Sequence, residues 1–195
     1  MPIRLSRTDA LVIVDLQKDF LPGGSLAVPR GDEVIPVLNQ WSRTFVKENL
    51  PVFATRDWHP PDHCSFRTQG GPWPVHCVIG TEGAEFASSL DLPTSTMIIS
   101  KSSRRDIETY SGFEGTELEA CLRKLGVERL YIGGLATDYC VLNTVRDGLR
   151  RGFEVKLLKE AIRAVNVKEG DGERAEQEMV KLGAILELED GRALA

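Results

Sequence analysis

"RLYIGGLATDYCVLNTVRDGL", residues 129–149, holds the decision about the fold. It opens on a short apolar run, 129–134, passes two glycines, and then spaces Val141, Leu142, Val145 and Leu149 as one stripe of a helix. A strand that hands over to a helix within a few residues is the repeating unit of a mostly parallel sheet. Cys140 stands at the handover.

The same alternation extends outward in both directions. Apolar runs at 10–15 (ALVIVD), 51–57 (PVFATRD), 96–101 (TMIISK), 153–158 (FEVKLL) and 184–188 (AILEL) join 129–134 as six candidate strands. They read as continuously apolar, the pattern of strands covered on both faces. Helical stripes lie between them: Val34, Val37, Leu38, Trp41 and Phe45; Leu118, Cys121, Leu122 and Leu125; and Ala175, Met179 and Leu182. Gly126, Gly152 and Gly183 follow these patterns as C-terminal caps. The expectation is an α/β fold, a three-layer α/β/α sandwich around a mostly parallel sheet of about six strands. At 195 residues the chain suits a single domain over 1–195.

Three strands end in residues that a buried strand avoids. The first closes on Asp15, the third on Lys101, and the fourth leads through Gly133 and Gly134 to Cys140. Ligands of open α/β sheets bind outside the carboxyl ends of the strands, so these side chains are expected to converge on one crevice. Each alone has a plainer reading: Asp15 as a turn former, Lys101 as a surface lysine, Cys140 as a small buried apolar residue. Cys121 fits that last role, since it lies on a clean helical stripe. Cys140 differs because Thr137 or Asp138 can cap the helix that follows. That places the thiol near the first turn, where the helix dipole and Lys101 favour thiolate and free amides can hold an oxyanion.

The segment from Trp58 to Pro93 has no clear period, and loops of that length are usually functional. All three histidines, His59, His63 and His76, fall within 18 residues. Asp57 and His59, two apart in an extended chain, project to one side, and His76 can join them as a third metal ligand. Two imidazoles and a carboxylate suit zinc, iron or manganese and leave positions open. His63 is either a further ligand or a partner of Ser65 that supports the others. Cys64 and Cys77 point the other way and read as structural.

Charged residues make up 27% of the chain and the formal net charge is −5, which argues against nucleic acid or an anionic membrane as the main partner. The first apolar run is too short for a signal peptide, and no run reaches the length of a membrane span. The four scattered cysteines read as reduced and the protein as cytoplasmic.

The segments VIVDLQKDF, TRDWHPPDHCSF, GPWPVHCVIGTEGAEF, ISKSSRRDIETYSGFEG and GGLATDYCVLNTVRDGLRRGFEV together resemble the nicotinamidase branch of the isochorismatase-like cysteine hydrolases, in the family's order, over roughly 9–165. That resemblance implies a triad of Asp15, Lys101 and Cys140 and a metal site of Asp57, His59 and His76 holding one divalent ion. Zinc is the first choice there, with iron or manganese as alternatives. It implies a pyridine ring packed by Phe20, Trp73 and Tyr110. It also implies a cis peptide ahead of Ala136, whose N–H joins that of Cys140 in an oxyanion hole. The implied activity is hydrolysis of nicotinamide to nicotinate and ammonia through a Cys140 thioester, the ion orienting the ring. Other readings are hydrolysis of another small amide or of isochorismate, a metal-activated water with Cys140 a bystander, and a non-catalytic binding module. Pyrazinamide as a substrate and a homo-oligomer are compatible with the resemblance.

Overall fold

Apolar runs covered on both sides pack as parallel strands, and six do so here. The computed structural model describes residues 5–188 and the strand backbone at 193–194; residues 1–4, 189–192 and 195, which the single-domain reading includes, lie outside the described residues. The strands β1 (Asp9–Val14), β2 (Val52–Asp57), β3 (Met97–Lys101), β4 (Arg129–Leu135), β5 (Glu154–Arg163) and β6 (Ile185–Glu187) are parallel. A short β7 (Ala193–Leu194), which the apolar pattern did not anticipate, adds antiparallel to β6. The order is β3-β2-β1-β4-β5-β6-β7, so the winding reverses between β1 and β4.

Alternation along β1 splits the core in two. Ala10, Val12 and Val14 belong to one cluster, with Leu118 and Leu122 of α2 (Leu118–Lys124), Val145 of α3 (Leu142–Arg150) and Met179 of α4 (Asp171–Leu182). Leu11 and Ile13 belong to the other, under Leu38, Trp41 and Phe45 of α1 (Val34–Lys47). Helices therefore cover both faces, and the expected three-layer α/β/α architecture is present. The three capping glycines all adopt left-handed backbone. Among the described residues no helix is long and apolar enough to cross a membrane, and all four cysteines are free.

Four details differ from the sequence reading. β5 runs on to Arg163, past the polar pair Lys159 and Glu160, because a register shift opposite Gly133 lets its far end pair with Gly134 and Leu135. Leu125 and Leu182 end their helices 49% and 44% exposed instead of facing the sheet; each lies at a helix end, where the stripe has turned past the core. Cys121 is half-buried at the margin of the core. β3 is an edge strand, so Ile98 is exposed where full cover was expected.

Gly134 is fixed by close approach. It pairs with Val14 across β1/β4 and has φ of 127°, and a Cβ there would stand 2.1 Å from the Val14 carbonyl oxygen. Gly134→Ala is expected to cost roughly 3 kcal/mol or more, from overpacking and a conformation hostile to side chains. A urea titration measures this as a fall in the midpoint with unchanged slope.

Candidate active site

The winding reversal opens a crevice at the carboxyl ends of β1 and β4, and the ends of β1, β2 and β3 and the turn after β4 all deliver polar groups there. Asp15 follows β1 with φ of 50°, an uncommon backbone conformation for a residue other than glycine. Asp57 ends β2 and Lys101 ends β3, and the two are register partners. Cys140 lies in a π-helical turn, Thr137–Val141, between β4 and α3. The peptide bond between Leu135 and Ala136 is cis, as expected, and the Ala136 carbonyl accepts hydrogen bonds from the amides of Tyr139 and Val141.

Asp15, Lys101 and Cys140 meet. Lys101 Nζ is 3.1 Å from Asp15 Oδ2 and 3.4 Å from Cys140 Sγ, and it also donates to Asp57 Oδ1. All four residues are buried. Oxygen atoms of Asp15 and Asp57 and the Cys140 sulfur lie within 4.8 Å of one another. Thr55 Oγ1 donates to Asp15 Oδ1 at 2.7 Å, and the Thr55 carbonyl accepts from the Asp15 amide at 3.2 Å, which fixes one edge of the carboxylate and turns the other to Lys101.

Burial and mutual charge set the protonation. Burial raises the Asp15 carboxyl; Lys101 opposes this only in part, and nearby Asp57 adds to it. At Asp57 burial acts in the same sense, but Lys101, which also donates to it, leads the groups that outweigh burial and hold the carboxyl low. Burial would lower the Lys101 ammonium, yet Asp15, Asp57 and Cys140 push it well above its ordinary range. The Cys140 thiol is driven up, first by burial and then by the two carboxylates, with Lys101 opposing.

This corrects the expectation of a thiolate favoured by a capped helix terminus. Neither Thr137 nor Asp138 caps the turn; the Asp138 carboxylate instead accepts from the amides of Val165 and Asn166, tying the chain after β5 to the turn. The resting thiol is neutral, and Asp15 is the group beside it able to take its proton.

The metal reading finds a fitting donor set. The His76 carbonyl accepts from His59 Nδ1 at 3.1 Å, and the Pro74 carbonyl accepts from His76 Nδ1 at 2.8 Å. Those bonds require Nδ1–H on both rings and leave a lone pair on each Nε2. His59 Nε2 is buried without a hydrogen-bond partner and lies 3.9 Å from Asp57 Oδ1. Ligand atoms of Asp57, His59 and His76 all fall within 4.8 Å of one another. Burial pushes His59 down to about 4, so its ring is neutral, as ligation requires. An orphaned imidazole nitrogen facing a carboxylate is what a divalent ion would satisfy.

His63 stacks on His59 with ring centroids 4.2 Å apart, but both of its nitrogens are engaged. Nε2–H donates to the Ile107 carbonyl, and Nδ1 accepts from Ser65 Oγ at 2.8 Å. Of the two roles open to it, this geometry matches support.

Phe20, Trp73 and Tyr110 line one cavity together with Asp57, His76, Ala136 and Cys140. Trp73 Nε1 donates to Tyr110 Oη at 3.0 Å, which locks two of the aromatic walls together. Cys77 is buried and its thiol is raised by burial, in keeping with a structural role.

Sequence reasoning missed several contributors. Gln17 brackets Asp57, accepting from its amide and donating to its carbonyl, both at 2.7 Å, and donates to the Ala84 carbonyl. Its proximity to Asp15 in "VDLQ" was the only available signal. Thr55, Glu108 and Tyr139 were passed over; Tyr139 packs edge-on against Trp73 at 4.9 Å and lines the cavity beside Cys140.

Known proteins resemble this chain over most of its length. Residues 9–187 match the isochorismatase domain family. A nicotinamidase of Acinetobacter baylyi is 37% identical over 89% of each chain. Among solved structures, a pyrazinamidase of Pyrococcus horikoshii in complex with zinc superposes with a TM-score of 0.88 at 51% identity, covering 92% of this chain and 98% of that one. A protein from L. infantum in complex with nicotinate gives 0.86 at 35% identity, covering 95% and 96%.

Proposed function

The chain belongs to the isochorismatase family, and from that premise we propose that it is one hydrolase domain over 1–195 that cleaves nicotinamide to nicotinate and ammonia, with Cys140 as nucleophile. The observation that carries the reading is the meeting of Cys140, Lys101 and Asp15 on a cavity walled by aromatic rings on one side and by Asp57 and His76 on another. Those walls suit a flat heteroaromatic ring with one carboxamide.

Asp57, His59 and His76 would hold a divalent ion, zinc by the chemistry of two imidazoles and a carboxylate and by the likeness to the zinc complex. When bound, the ion supplies a Lewis-acid contact to a lone pair of the ring. The chain's own residues do the rest. Phe20, Trp73 and Tyr110 confine the ring and exclude water, which leaves the carboxamide facing Cys140.

Asp15 takes the Cys140 proton as sulfur adds to the amide carbon and the carbonyl electrons move to oxygen. The amides of Ala136 and Cys140 stabilise that oxyanion, and the Lys101 charge offsets the negative charge gathering beside it. Collapse breaks the C–N bond, and Asp15 returns the proton to the departing ammonia. Water, giving its proton to Asp15, then adds to the thioester; cleavage of the C–S bond restores the thiol and releases nicotinate.

A raised Asp15 carboxyl suits a group that must both accept and donate a proton. Four widely spread cysteines in a chain with an ample core fit a reducing, cytoplasmic setting. Ammonia release from nicotinamide by the zinc-loaded protein tests the reaction. Quenching during turnover followed by intact-mass analysis is expected to find a nicotinoyl adduct on the Cys140 peptide. Turnover without any adduct, in the face of rapid quenching, would favour a metal-activated water instead.

A further inference from the structure

Glu108 is a carboxylate in the wrong place for a loop. It lines the cavity with Asp57 and His76, its side chain is only 23% exposed, and its Oε2 is buried with no hydrogen-bond partner. The neighbouring donors are committed elsewhere. His63 Nδ1, 3.9 Å from Oε2, accepts from Ser65 and so carries no proton to give. Ser102 Oγ reaches Oε1 at 3.3 Å, but its single proton has a nearer acceptor in the Thr109 carbonyl at 2.8 Å. A buried carboxylate oxygen without a donor is costly, so its retention points to a donor that binds in the cavity.

The position identifies that donor. Ligand atoms of Glu108, His59 and His63 lie within 4.8 Å of one another, and the same His59 belongs to the Asp57 and His76 set. Asp57, whose carboxylate already serves Lys101, is the one anion of that set. A divalent ion held by one carboxylate and two neutral rings keeps a positive charge and open positions that water fills, and such water is a strong donor.

Resting on the metal reading above, we propose that Glu108 is a positioning residue for the ion: its Oε2 accepts a hydrogen bond from water bound to the ion and supplies the second negative charge of the site. It stays outside the coordination sphere and acts through the water.

The test titrates metal-stripped protein with zinc against a chromophoric chelator at neutral pH, comparing wild type, Glu108→Gln, Glu108→Ala and His59→Ala. Glu108→Ala is expected to weaken zinc binding about 10- to 100-fold, with Glu108→Gln between it and wild type, while the melting temperature of the metal-free protein stays put. The cobalt-substituted spectra of wild type and Glu108→Gln are expected to keep the same band positions. Wild-type zinc affinity in both Glu108 variants, alongside a large loss in His59→Ala, overturns the role of Glu108 and leaves the metal centre standing. A shifted cobalt band overturns the outer-sphere placement. Equal zinc binding by His59→Ala and wild type overturns the metal centre and this proposal together.

Discussion

Cys140→Ala is expected to lower kcat on nicotinamide by roughly 10⁴-fold or more, the scale of losing the nucleophile of a catalytic triad. The change removes one sulfur from a buried turn and leaves the backbone that shapes it. Cys140 is not among the Asp57, His59 and His76 donors, so zinc content is expected to remain stoichiometric. The melting temperature should stay within a few degrees of wild type. Cys140→Ser is expected to be nearly as inactive, because Asp15 must then deprotonate a much weaker acid. Steady-state ammonia release, metal analysis and calorimetry on the same preparations decide the matter. Turnover within tenfold of wild type at full metal loading would remove Cys140 from the chemistry and return the reaction to a metal-activated water.

Lys101→Met is expected to cost stability as well as activity. Lys101 is the cation between Asp15 and Asp57, all three side chains essentially closed to solvent. Removing one partner of a buried ion cluster while leaving the others costs about 3–5 kcal/mol. For a chain of this size each kcal/mol moves the melting temperature by about 2–4 °C, so a fall on the order of 10 °C is expected in metal-free protein. The pH dependence has a definite sign. Lys101 lowers both carboxyls, so without it both rise, and the folded variant holds more protons than the unfolded chain. Its stability therefore falls as pH rises, and the gap to wild type widens from acid toward neutral pH. Denaturant titrations at several pH values measure this; a gap that narrows with pH would show that Lys101 does not control those carboxyls.

The architecture was legible because strands covered on both faces are largely apolar, and the runs read for β1, β2 and β4 match the strands' bounds within one residue at either end. Legibility failed where that constraint lapses. The Lys159 and Glu160 pair interrupts β5, and nothing local distinguishes its continuation from a turn. At the site, residues set directly on strand ends or at a handover stood out against their surroundings. Gln17, Thr55 and Glu108 did not, since each acts through a partner at least six positions away and has no period to betray it. The thiol's protonation was misjudged because local position suggested a helix terminus, whereas burial among Asp15 and Asp57 is a property of the assembled sheet.

The pairing of Asp57 with Lys101 across β2 and β3, and of Val14 with Gly134 across β1 and β4, bears on how the gene can change length. One residue inserted into one of these strands turns that strand's later side chains to the opposite face, and in β3 this would swing Lys101 away from Asp15 and Asp57 at once. An insertion in the turn at 94–95, just ahead of β3, disturbs no such alignment. Indels in this protein are therefore expected to be confined to such turns, and a library of single-codon insertions should return active clones there while clones altered inside β1–β4 are silent.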